Sequence, residues 1–71
     1  MSDAEYEVIK EQFPEWGARV EKLAEFGDEY HMGRLWGMAD AMKLTKQCGN
    51  ATEFVMTAIY RAKLAQEGGI A

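Results

Sequence analysis

The chain has one cysteine, one proline and one histidine, and Val, Ile and Thr together supply only nine of its 71 residues. With Cys48 alone, no disulfide can close within the chain and no cysteine-based zinc site exists, the usage expected of a reducing, cytoplasmic setting. So few β-branched residues, with no alternating apolar stretch of strand length and no hairpin dipeptide, argue against a sheet. No apolar run approaches the roughly 18–20 residues of a membrane span, and Met-Ser-Asp-Ala-Glu at the start is acidic where a signal peptide is basic. Neither a membrane nor export is expected. A phosphate-binding glycine loop, a nucleophile elbow and a dinucleotide turn are all missing, so the chain is not expected to be an enzyme or to hold a cofactor.

What is present is helix-forming. Thirty-nine residues are Ala, Leu, Glu, Lys, Gln, Arg or Met, the strongest helix formers, and an all-α fold follows. Two glycine-containing breaks, Gly27-Asp28 and Gly49-Asn50, divide the chain into three pieces. The expected architecture is one small bundle of three helices over 3–26, 29–48 and 51–66, with a flexible tail at 67–71. A core this small contributes only about 3–5 kcal/mol, so a homodimer is expected.

Ser2 and Glu5 have the spacing of a capping box, which starts the first helix near Asp3. Tyr6, Ile9, Phe13, Trp16, Val20 and Leu23 then follow at alternating steps of three and four, one continuous apolar stripe for a core or dimer seam. Pro14 interrupts it. Proline removes a backbone donor and disfavours helical geometry at Phe13, so this helix is kinked or broken there, and the unbroken stripe favours a kink.

Asp28 can cap the second helix and Gly49 can end it as a left-handed residue. Gly33, Gly37 and Ala41 recur at every fourth position, a row that admits a close neighbour. Met32, Leu35, Ala39 and Met42 make an adjacent apolar stripe, beside Tyr30, Trp36 and Met38. In the third helix, Ala51, Val55, Ala58, Ala62 and Ala65 form a narrow seam of small residues. The two small-residue rows predict a close antiparallel hairpin of helices two and three, with interaxial distance near the low end of about 8–10 Å. Phe54, Ile59 and Tyr60 are then left on flanks that the seam does not cover.

Charge divides the chain. Residues 1–30 hold nine acidic and three basic side chains; residues 31–71 hold three acidic and five basic. The acidic positions Glu7, Glu11, Glu15, Glu21 and Glu25, with the aromatics Trp36 and Tyr60, are the expected contact points for a partner protein with a basic surface. Asp28 and His31 are spaced as a possible metal pair, but one chain supplies too few ligands, and no metal is expected. A helix-turn-helix using Thr52, Thr57, Arg61 and Lys63 on DNA is the runner-up; the net charge of −4 makes nucleic acid an unlikely partner. A structural subunit of a helical assembly is the third reading. Small, acidic, motif-free helical chains are frequent among bacteriophage accessory proteins that inhibit host factors. The expected function is accordingly a helical interaction module that occupies and inhibits a partner protein.

Overall fold

The computed structural model describes residues 1–70, and the side chains of residues 1–68. The described residues form four helices and no strand: α1 Asp3–Gln12, α2 Pro14–Phe26, α3 Glu29–Leu44 and α4 Ala51–Ile70. The last helix packs on all three others, and α2 also packs on α1 and α3.

Four helices replace the expected three because the chain breaks at Phe13 instead of bending there. Phe13 takes φ −132° and ψ 68°, which is not helical, and Pro14 begins α2 at its first position. The proline ring crowds the preceding residue out of helical geometry, and its missing N–H costs nothing at a helix start. The Phe13 amide donates to the Ile9 carbonyl at 2.9 Å and the Gly17 amide to the Phe13 carbonyl at 2.8 Å, so one residue closes α1 and opens α2.

Local signals set the other starts. Ser2 Oγ accepts from the Glu5 amide at 3.2 Å, the expected N-cap bond, and donates to the Glu5 carboxylate at 3.1 Å, so Glu5 answers the Ser2 hydroxyl and not the Ser2 amide that a full capping box would use. Gly27 closes α2 in the left-handed region at φ 71°, and Asp28 precedes α3 in extended geometry. The Asp28 carboxylate bonds the His31 Nδ1 and makes no bond to a helix amide.

The end of α3 departs from expectation. It closes at Leu44, four residues before Cys48, and the left-handed residue is Lys46 at φ 57°. The Lys46 amide donates to the Lys43 carbonyl and the Gln47 amide to the Met42 carbonyl, each at 3.1 Å. That paired pattern is the reversal glycine usually provides. Thr45 Oγ1 adds bonds to the Ala41 and Met42 carbonyls at 3.0 and 3.2 Å. At the other end of the chain α4 continues helically through Glu67 and Gly68, positions expected as a tail; glycine weakens a helix without by itself stopping it. Ala71 lies outside the described residues.

The core is built around Phe54. Tyr6, Val20, Leu35, Phe54 and Val55 are its largest fully buried side chains, with Ile9, Leu23, Ala39, Met42, Cys48, Ala51 and Ala58 around them. Tyr6 stacks on Phe54 with centroids 4.3 Å apart, and Trp16 tilts against it at 5.1 Å. Phe54 is thus the centre of the bundle, not a flank residue. Phe13 and Trp16 are half-buried against this cluster, edge to face at 6.4 Å.

Helices α3 and α4 pack on each other, but not through the expected row of α3. Leu35, Ala39 and Met42 are the buried residues of α3, with Met32 and Met38 half-buried. Gly33, Gly37 and Ala41 are exposed, and a Cβ built on either glycine meets no atom within 4 Å. Larger apolar side chains hide more area, so the methionine and leucine stripe takes the core and turns the small residues outward. On α4, Ala51, Val55 and Ala58 are buried; Ala58, Ala62 and Ala65 line a cleft with Tyr6, Glu21 and Glu25, which turns this part of the seam toward α1 and α2.

Candidate protein-docking surfaces

Helix α4 is apolar on two sides. One side carries Phe54, Val55 and Ala58 into the core. Met56, Tyr60 and Leu64 follow one another at steps of four and fall roughly opposite them at about 100° per residue. They are 56, 62 and 46% exposed. Burial in the core does not explain this stripe, since among the described residues none covers it fully. Glu53 and Glu67, both exposed, stand seven residues before and after Tyr60 on the same side, and Met1, Asp3 and Arg61 join the stripe to line one cleft.

The rim of that cleft is tied together by Arg61. Its guanidinium donates to Asp3 at 2.7 Å and approaches Glu7 at 3.6 Å. The same group lies 3.9 Å from the centre of the Tyr6 ring, a cation on the negative face of an aromatic. The bond to Asp3, chiefly, raises the already high pKa of this arginine. Behind the ring, Tyr6 Oη donates to Glu21 Oε2 at 2.8 Å, and Lys10 Nζ stands 3.3 Å from Glu21 Oε1. Burial first, then the bond to Glu21, push the Tyr6 phenol well above its usual range.

This arrangement separates the acidic positions that the sequence grouped together. Glu21 is half-buried and spent on Tyr6 and Lys10, so it is removed from any acidic docking face. Glu7 is partly engaged by Arg61. Glu11, Glu15 and Glu25 are exposed, but the break at Phe13 puts Glu11 and Glu15 on different helices. The Glu25 carbonyl accepts from Gln66 Nε2 at 3.1 Å, which fastens the end of α2 to α4. Trp36 is 40% exposed on α3 and Tyr60 belongs to the α4 stripe. Met56 and Leu64 were not picked out from the sequence, although their spacing with Tyr60 was there to find.

A second surface is the outward side of α3. Tyr30, Gly33, Gly37, Ala41 and Leu44 lie opposite Leu35 and Ala39, and all five are exposed. At its N-terminal end, Phe26 stacks on His31 at 4.1 Å and Tyr30 meets the same ring edge-on at 5.2 Å. The hydrogen bond from His31 holds the Asp28 carboxyl below its ordinary range. Asp28 and His31 remain a pair: among the described residues, no three His, Cys, Asp or Glu side chains come together as metal ligands. No described helix is long and apolar enough to cross a membrane.

No protein-family model, curated protein or solved structure matches the chain.

Proposed function

We propose that this chain is a small helical interaction module that docks on a partner protein with a basic surface and inhibits it by occupying that surface, as phage accessory factors do. The observation that supports the reading is the stripe Met56, Tyr60 and Leu64, exposed on the side of α4 away from the core. Large apolar and aromatic side chains in one exposed row supply the desolvation energy of an interface, and an aromatic at its centre is the usual anchor. Glu53 and Glu67 at either end favour a cationic counterpart, while Asp3 at the rim is already paired with Arg61. The acidic residues that serve this surface differ from those expected. Glu53, Glu67 and Asp3 border it, whereas Glu21 is committed inside the fold.

The DNA-reading alternative has less support. Arg61, its strongest candidate contact, is held by Asp3 and Glu7, and Thr57 Oγ1 donates to the Glu53 carbonyl at 2.8 Å.

Affinity capture from a cell lysate tests the proposal when the native chain is compared with two variants, Met56→Glu/Tyr60→Glu and Glu53→Lys/Glu67→Lys. One partner should be held by the native chain and lost by both variants, and adding the native chain to that purified partner should lower its activity. Equal capture by the stripe variant, or an unchanged partner activity, would overturn the reading.

A further inference from the structure

The stripe on α4 runs along the helix with an acid at each end. Met56, Tyr60 and Leu64 span about 12 Å, and Glu53 and Glu67 lie about 21 Å apart, each within about 20° of Tyr60 around the axis. Among the described residues neither glutamate is in an ion pair. The cations of this side stand off the line: Arg61 about 100° round toward α1 and Lys63 about 60° round the other way. Arg61 is already held by Asp3 and Glu7. Met1 and Asp3 flank the stripe, so it forms one wall of a groove.

Hydrogen bonding limits what can fill that groove. The described residues hold no strand, so there is no sheet edge for an extended segment to join. Laid on Met56 and Leu64, an extended segment would bury amides against side chains that do not bond them. A helix arrives with its backbone bonds already made and offers apolar side chains at matching steps of three and four. Charge narrows the choice further. Two copies of the stripe set face to face, in either direction, gather glutamates at both ends of the seam, and an anionic membrane repels the same ends. Cations at both ends of the incoming row are what Glu53 and Glu67 lack.

We infer that the α4 groove takes an amphipathic helix of the partner protein, its apolar row laid along Met56, Tyr60 and Leu64 and its lysines or arginines reaching Glu53 and Glu67 at the two ends. The inference rests on the reading of α4 as the docking surface and adds the form of what docks there.

Selection from a library of random peptides of about 20 residues, long enough to form a helix, tests this with the full chain as bait. The peptides that bind should repeat apolar residues at steps of three and four and carry Lys or Arg beyond both ends of that row. Their helical circular dichroism should rise on binding. Tyr60→Ala should weaken such a peptide at least about tenfold, as loss of an aromatic anchor does. Glu53→Gln/Glu67→Gln should weaken it severalfold and flatten its dependence on salt. Both variants should melt like the native chain, since all three side chains are exposed. Binders that are acidic, that lack the helical period, or that hold both variants as tightly as the native chain overturn the inference. So does a library without binders, or a chain that pairs with itself through the stripe instead. If a lysate partner is nevertheless captured, and lost with Met56→Glu/Tyr60→Glu, only the helical form of the occupant falls; if capture fails as well, the docking surface falls with it.

Discussion

The rings of Tyr6 and Phe54 stack with centroids 4.3 Å apart and planes 9° from parallel. This contact joins the first helix to the last. Two turns along α4 from Phe54, Arg61 reaches the same tyrosine ring at 3.9 Å. Phe54 also receives Trp16 from α2, so one side chain holds three helices together.

Phe54→Ala should therefore unfold the chain. Removing a buried phenylalanine costs about 3–5 kcal/mol, and a core of this size has about the same amount to lose. Far-ultraviolet circular dichroism should show most of the helix signal lost, while Phe54→Leu keeps a cooperative but lower melting transition. A native-like melt for Phe54→Ala would mean that the aromatic cluster is not the centre of the fold.

Tyr6 predicts an alkaline weakness. Its phenol ionises less readily folded than unfolded, because burial and Glu21 both oppose the phenolate. Above about pH 10, where an unfolded tyrosine gives up its proton, the folded chain still holds one more. Stability is then complete below that pH and falls above it, by at most about 1.4 kcal/mol per pH unit for one proton. Tyr6→Phe should cost about 1–2 kcal/mol at neutral pH through the lost bond to Glu21 and should flatten the alkaline slope. Denaturant melts across the alkaline range would show both effects, and an equal slope in Tyr6→Phe would assign the weakness elsewhere.

How far the sequence revealed this fold depended on whether the deciding signal was local. The Ser2–Glu5 cap and the Gly27-Asp28 break act within a few residues, and both stand where the sequence put them. Pro14 was equally visible, yet the continuous stripe from Tyr6 to Leu23 favoured a bent helix over a broken one; a single residue, Phe13, carries both the stripe and the break. On α3 two apolar rows competed. The spacing of Gly33, Gly37 and Ala41 was the more conspicuous, but the area offered by Met32, Leu35, Ala39 and Met42 was the greater, and area decides burial. The candidate docking stripe on α4 was hidden for a related reason, since the alanine seam drew notice from Met56 and Leu64. The pairing of Glu21 with Tyr6, fifteen positions apart and across the break, has no signature in one sequence.

Lys46 is a place where the chain gives up stability. Its φ of 57° is unfavourable for a residue with a Cβ, by about 1 kcal/mol or more, and the reversal it makes is the one glycine usually supplies. Lys46→Gly should raise the melting temperature by roughly 4–8 °C for each 1 kcal/mol gained in a domain of this size, measured at a dilution where only single chains are present. A lower melting temperature would contradict the left-handed turn between α3 and α4.

Gly17 measures the packing between α2 and α4. It is buried inside α2, and a Cβ there would stand 3.5 Å from both Lys10 Cγ and Phe54 Cζ, an ordinary contact distance. Gly17→Ala should therefore be accepted and should stabilise the chain by roughly 0.5–1 kcal/mol through helix propensity. A longer side chain has nowhere to go, because Phe54 already stacks on Tyr6 and leans on Trp16. Gly17→Leu should destabilise by about 1–3 kcal/mol as an overpacked core does. The sign reversal between the two variants is the informative result: chemical denaturation showing both more stable, or both less, would mean that Phe54 does not sit against this turn of α2.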